Sequence, residues 1–232
     1  MKEIYLASIV RNGMAYLPRW QGQTDNLRAF FAPDYRLRLE LGYGDCEDET
    51  PAWAAAWAAS HPDNETLDVS HGGPAFGSID DPTRWAQIAG CWNRLFDALA
   101  GRTGEALIYV EADLIWDVVT MLALISWLHT REDVDGVAPM SMHRSGFFYD
   151  TWGHRRDGAH FSSNPPYHPA LALSDNLIDG LLRIDSAGSC KALAWPVVRD
   201  CRFSSHNAMI GPDMAARGYR LWLDPTLSVY HP

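Results

Sequence analysis

The chain is short of lysine. Of its 19 Lys and Arg residues only Lys2 and Lys191 are lysine, and 29 acidic residues leave a formal net charge of −10. A surface of that sign repels a phosphate backbone, which argues against general nucleic-acid binding. Cysteine is sparse too. Cys46, Cys91, Cys190 and Cys201 form no CxxC pair and no regular spacing, which points away from a disulfide framework and towards a reduced, cytoplasmic protein. Long hydrophobic runs are missing. The most apolar stretch, Leu114 to Leu128, contains Asp117 and is too short for a membrane span. Met1 to Leu6 leads straight into a strand-like run without a signal peptide's apolar region. There is no internal repeat, low-complexity tract or linker, so the 232 residues read as one domain. With 47% hydrophobic and 21% charged residues, such a chain buries a core without help from disulfides or a structural metal.

Apolar runs alternate with helical periodicities, which predicts an α/β domain with a mostly parallel central sheet flanked by helices. Strands are expected at Ile4 to Val10, Tyr35 to Leu41, around Leu67 and Val69, at Ala106 to Val110, and at Asp135 to Pro139. Helices are expected at about Ala15 to Phe31, at Thr50 to Ser60 with Thr50 as N-cap before Pro51, and at about Thr83 to Ala100. The last carries an apolar stripe of Trp85, Ile88, Ala89, Trp92, Leu95, Phe96 and Leu99. Leu114 to His129 also reads as helix, as does Ser204 to Arg217, closed by Gly218. Two short strands, Leu221 to Leu223 and Leu227 to Tyr230, end the chain. Ser141 to about Ala170 differs in being rich in aromatic residues, Arg, His, Gly and Pro with little periodicity, the mark of a functional loop region.

Three groups of residues bear on chemistry. Glu111-Ala112-Asp113 follows the continuous apolar run Ala106 to Val110, and ligands of open α/β sheets sit beyond the carboxyl ends of their strands. Two carboxylates there suit a hard divalent cation, Mn²⁺ or Mg²⁺, of the kind that bridges a nucleotide's phosphates. The alternative is that Asp113 caps the next helix. Second, Gly44-Asp45-Cys46-Glu47-Asp48-Glu49-Thr50 places acids after the second strand, where carboxylates accept hydrogen bonds from ribose hydroxyls or a base N–H. The alternative is an acidic solvated loop. Third, His231 ends the last apolar run, and neutral imidazole ligates Mn²⁺ and related metals; the alternative is an ordinary surface histidine near the C-terminus. Arg11 and Arg84 are candidate phosphate contacts.

Taken in order, these residues resemble the GT-A glycosyltransferase pattern: a first strand ending Ile9-Val10-Arg11-Asn12, an acidic loop, an acid-x-acid motif, and a terminal Pro225-Thr226-Leu227-Ser228-Val229-Tyr230-His231. More narrowly, the chain resembles fungal-type mannosyltransferases of the Anp and capsule-associated α-mannosyltransferase groups. The carrying segments are Ala15 to Arg19, Gly44 to Thr50, Cys91 to Leu95, Phe148 to Trp152, Arg156 to Gly158, and Ala215 to Arg220. The resemblance implies that Asp45 and Asp48 contact the nucleoside and that Asp113 and His231 hold the metal. Glu111 departs from the family's usual first aspartate, and its longer arm then reaches the sugar or ribose. Ser204-Ser205-His206-Asn207 departs where relatives carry an acid, which leaves any general base open.

The resemblance implies transfer of a hexose from a GDP- or UDP-sugar to a saccharide or other hydroxyl acceptor, with retention of configuration. Inversion would require a base near the acceptor hydroxyl, for which Asp150, Asp157, Asp185 and His206 are candidates. Residues 141–170 are the candidate acceptor side, through Phe147, Phe148, Tyr149, Trp152, Phe161 and Tyr167. The competing readings are transfer to modified bases in viral DNA, which the net charge disfavours, nucleotidyl transfer, for which Ser8 to Asn12 lacks a glycine-rich basic loop, and a non-catalytic carbohydrate-binding module.

Overall fold

The structure is a computed structural model. It describes every residue except 33, 78, 157–158 and 161–176, and the backbone alone at 159–160. An eight-stranded mixed sheet runs in the order β3-β2-β1-β4-β9-β5-β10-β8. Its strands are β1 (Lys2–Val10), β2 (Tyr35–Tyr43), β3 (Asn64–Asp68), β4 (Ala106–Val110), β5 (Gly136–His143), β8 (Leu182–Ile184), β9 (Cys190–Ala194) and β10 (Leu221–His231). The helices are α1 (Leu17–Phe31), α2 (Thr50–Ser60), α3 (Pro82–Ala100), α4 (Val118–Thr130), α5 (Trp195–Asp200) and α6 (Gly211–Ala216). A two-stranded ladder, β6 (Arg155–Arg156) with β7 (Ala159–His160), stands apart from the sheet. Pairing is parallel for β1 with β2 and β4, β2 with β3, and β5 with β10. It is antiparallel where β9 lies between β4 and β5, and at β10 with β8.

Strand alternation divides the core between the two faces of this sheet. Tyr5, Ala7, Leu107 and Tyr109 pack with the α3 residues Trp92, Leu95, Phe96 and Leu99. Ile4, Leu6, Ala106, Ile108 and Val110 pack with Leu17 and Trp20 of α1, Trp57 of α2 and Leu124 of α4. Trp20 and Trp92 are fully buried, each worth about 1.5–3 kcal/mol or more of apolar burial. Both faces of β4 are covered, which is why Ala106 to Val110 is an unbroken apolar run. Asp81 starts α3, its side chain accepting from the amides of Thr83 and Arg84 with Pro82 next in line.

Several expectations are corrected. Thr50 is not a cap: its buried hydroxyl accepts from the Gly13 amide at 2.7 Å and joins the first two loops, and the N-cap position of α2 is Glu49. The helix expected from Leu114 starts at Val118, because Ile115 pairs with Tyr230 of β10 and Asp117 caps the helix through the Thr120 amide at 2.7 Å. Asp113 is therefore no helix cap. The helix expected over Ser204 to Arg217 is confined to α6, although Gly218 does close it at φ +83°. The two terminal strands are one, with an irregularity between Asp224 and Ser228. The segment from Ser141 begins inside β5, which runs to His143. β8, β9 and α5 were not anticipated: each is six residues or fewer, too short for periodicity to register.

Candidate active site

The carboxyl ends of β1, β2, β4, β5 and β10 share one edge of the sheet, and antiparallel β9 enters there, with Cys190 opposite Val110. The residues just beyond these strands form two adjoining cavities, both bordered by Arg84 and Ile88. The first, of about 360 Å³, is lined by Ile9, Arg11, Asp45, Val69, Phe76 and Cys91, among others. The second, of about 250 Å³, is lined by Trp85, Tyr109, Glu111, Tyr149, Asp150 and Trp152, with Gly188 and Ser189.

Asp113 and His231 line neither cavity but meet next to the second, whose wall residue Tyr149 lies on His231. Asp113 Oδ2 lies 3.0 Å from His231 Nε2, although 118 positions separate them in the chain. The Ile115–Tyr230 bridge brings the two segments together: each residue's amide donates to the other's carbonyl at 2.8 Å. The Tyr149 ring stacks on the imidazole at 4.0 Å between centroids, 12° from parallel. Arg19 Nη2 donates to the Asp113 carbonyl at 2.5 Å and so tethers the loop to α1. Tyr16, one turn ahead of Arg19, faces the same acids. Burial first, then the charges of Asp113 and Asp48, push its phenol pKa well above the ordinary value. Arg19 and Tyr16 belong to a motif visible in the sequence, but their approach to Asp113 depends on how α1 packs.

Glu111 lines the second cavity, and its own amide donates to the Ser189 carbonyl at 2.9 Å. Its pKa is pushed up to about 8, chiefly by burial and then by the charges of Asp113 and Asp150, against the pull of Lys191 and Arg84. Asp150 has the opposite environment. Burial raises it, but His154 (Nδ1 at 3.3 Å) and the amides of Ser189 (3.0 Å) and Gly153 (2.8 Å) outweigh that and hold it down to about 2. Gly188 is required here, since a Cβ on it would stand 2.1 Å from Asp150 Oδ2.

The acidic loop after β2 is tied into the scaffold. Asp45, at φ +49°, accepts from the amides of His71 (2.9 Å) and Gly72 (3.0 Å), with His71 Nε2 3.3 Å away. The His71 amide bond is the largest of the causes that lower its pKa. Asp48 accepts from the amides of Met14 (3.2 Å) and Thr50 (3.0 Å) and does not border the first cavity. Arg11 borders it and donates to the Gly73 carbonyl at 3.3 Å. Arg84 borders both cavities and donates to the Ile79 carbonyl at 3.3 Å. His206 is exposed in the turn after α5 and lines neither cavity, although its neighbours Ala208 and Met209 line the second. Asp185 is exposed. Asp157, Phe161 and Tyr167 lie outside the described residues. Of the other aromatic candidates, Trp152 faces Trp85 at 6.3 Å between centroids, Phe148 is buried, and Phe147 is exposed.

No family model matches the chain, and no curated protein matches it. Solved structures do. Mannosyltransferase PcManGT from Pyrobaculum calidifontis, in complex with GDP-Man and Mn²⁺, matches at TM-score 0.57 and 18% identity, over 98% of this chain and 56% of that one. GalNAc-T7 with UDP, GalNAc and Mn²⁺ matches at TM-score 0.58 and 12% identity, over 100% of this chain and 44% of that one. Glucosyl-3-phosphoglycerate synthase from Mycobacterium tuberculosis, with Mn²⁺, UDP and phosphoglyceric acid, matches at TM-score 0.52 and 14% identity, over 93% and 65%.

The fold is GT-A. The chain spans 44% to 65% of the length of these GT-A structures. Identities this low establish the GT-A fold alone, so assigning chemistry rests on the site. Among the described residues of this GT-A domain no helix is long and apolar enough to cross a membrane, and no cluster of three or more His, Cys, Asp or Glu forms a ready-made metal cage.

Proposed function

We propose that this chain is a metal-dependent glycosyltransferase that moves a hexose from a nucleoside-diphosphate sugar to a hydroxyl acceptor. The observation that carries the reading is the 3.0 Å approach of Asp113 and His231 behind Tyr149, a wall residue of the second of two adjoining cavities at the carboxyl edge of a GT-A-like sheet. The similar solved structures were determined with GDP-Man or UDP and Mn²⁺, which supports the same donor class here.

The donor set fits a hard or borderline divalent ion. One carboxylate oxygen and one imidazole nitrogen converge, and His231 Nδ1 is buried without a hydrogen-bond partner. Two protein ligands suffice where diphosphate oxygens and water complete an octahedron, as is usual for Mg²⁺ and Mn²⁺. Asp113 and His231 would hold the ion, which when bound supplies a Lewis acid for the charge that builds on the departing diphosphate. The Tyr149 ring on His231 and the Arg19 tether on Asp113 fix both ligands in place.

The first cavity takes the nucleoside. Ile9, Val69 and Phe76 offer apolar surface for a base, and Asp45 and Arg11 supply polar groups at its edge. Asp48 acts from behind by joining the loop between β1 and α1 to the start of α2. The second cavity takes the hexose. Its aromatic faces and carboxylates are the pairing that recognises a sugar's C–H face and hydroxyls. Arg84, on the border between the two, is placed to meet the diphosphate. The resemblance to the Anp and capsule-associated mannosyltransferases favours a mannosyl donor and a retaining course, in which the leaving phosphate itself takes the acceptor proton. The aromatic-rich sequence of residues 141–170 favours an acceptor role for that segment.

The test is calorimetric binding of GDP and UDP with and without Mn²⁺, followed by nucleotide release from GDP-mannose and UDP-glucose. Binding that needs metal and is lost in Asp113→Ala supports the proposal. Unchanged metal-dependent binding in that variant would falsify the site.

A further inference from the structure

Lys191 is one of two lysines in a chain that otherwise places arginine at its basic positions, and it is 1% exposed. It sits in the middle of the sheet, on β9 opposite Tyr109 of β4. Its ammonium stands 3.4 Å from the centroid of the Tyr109 ring and 5.6 Å from that of Phe203. It donates to the Gly188 carbonyl at 2.7 Å. A leucine or methionine would pack on the same rings without desolvating a charge, so an ammonium at this place calls for an electrostatic reason.

The surroundings supply one. Tyr109, whose face carries the ammonium, lines the second cavity. Gly188, whose carbonyl it holds, abuts the Asp150 carboxylate. The next residue, Ser189, donates its amide (3.0 Å) and hydroxyl (3.4 Å) to that carboxylate, and its carbonyl accepts the Glu111 amide at 2.9 Å. A short stretch of backbone thus links the ammonium to both acids of the cavity. Glu111 and Asp150 are also the foremost charges acting in favour of the protonated amine, while burial draws its pKa down to about 8.

We propose that Lys191 is a positioning residue of the second cavity: its buried ammonium fixes the Gly188 carbonyl and, through the Gly188–Ser189 backbone, holds Glu111 and Asp150 on the cavity wall. The placing of a hexose there rests on the reading of function above. The link between Lys191 and the Gly188–Ser189 edge does not.

Amide hydrogen exchange on the full chain, without donor, tests that link. Lys191→Met keeps the bulk and removes charge and donor, whereas Lys191→Arg keeps both. The Met variant is expected to lose protection at Ser189 and Glu111 by about 10-fold or more, with Leu6 and Ile108 unchanged and protection regained in the Arg variant. Equal loss throughout the sheet, or no loss at Ser189 and Glu111, overturns the proposal. Should the Met variant not fold, wild-type protein labelled at lysine Nζ decides. A protonated ammonium signal protected from exchange, distinct from that of exposed Lys2, supports the proposal, and a neutral or fast-exchanging amine overturns it. In nucleotide release from GDP-mannose and UDP-glucose with Mn²⁺, Lys191→Met is expected to lower kcat about 100-fold at unchanged donor KM. A raised KM with kcat intact overturns the positioning role. Release of nucleotide from neither donor by the wild type sinks the transfer reading instead, and the exchange pattern still judges Lys191.

Discussion

Two acidic loops at the same edge of the sheet contrast sharply. Beyond β2, Asp45 and Asp48 together accept from four backbone amides, at 2.9 to 3.2 Å. Beyond β4, the Glu111 carboxylate accepts no hydrogen bond from the described residues, and Asp113 faces His231. Carboxylates bonded to amides hold loops, Asp45 while also bordering the first cavity, and their pKa values fall. A carboxylate crowded by like charge and burial, as Glu111 is, has its pKa raised and remains available to a ligand. Both loops carry carboxylates, and the supply of N–H donors is what distinguishes them.

That contrast is open to direct attack. The largest effect is expected from Asp113→Ala, which should weaken metal-dependent nucleotide binding about 100-fold or more while the melting temperature stays nearly constant. An equal loss of both would place Asp113 among the loop-holding acids. His231→Ala should lower Mn²⁺ affinity about 10- to 100-fold, read by titration of the paramagnetic ion. Asp45→Ala should add a loss of stability to any loss of nucleotide binding, costing about 1–3 kcal/mol in denaturant unfolding through two freed amides and the φ +49° backbone, with Asp45→Asn milder.

Asp150 tests the contrast within a single cavity. Its pKa falls from 3.8 unfolded to about 2 folded, so it stabilises the fold by about 2 kcal/mol above the unfolded value. That stability is lost as pH falls from about 4 through about 2. Asp150→Asn should flatten this part of the acid-unfolding profile. The smallest effect is expected of His206→Ala. This residue is exposed and lines neither cavity, so stability and nucleotide release should stay within about 0.5 kcal/mol of wild type.

Much of the scaffold was legible because its signals are local. The stripe of α3, the apolar run of β4 and the Pro51 start of α2 each depend on neighbours a few residues away, and each formed as expected. The failures share one cause. Leu114 to Trp116 has the composition of a helix, but pairing of Ile115 with Tyr230 holds it extended. Cys190 to Ala194 is five residues long and is a strand because β4 and β5 flank it. Thr50 has the look of a cap, yet the Gly13 amide claims its hydroxyl.

The sequence by itself determined the α/β class, the order of the first four strands and the acid-x-acid motif at the end of β4, since hydrophobic period and turn chemistry act within one element. It also put forward Asp113 and His231, through the order of motifs along the chain. Tertiary structure decided that these two meet at 3.0 Å, that the acidic loop is held by amides, and that one lysine lies beneath the second cavity. Those outcomes depend on which strands become neighbours and which donors arrive with them, and no window of sequence contains that information.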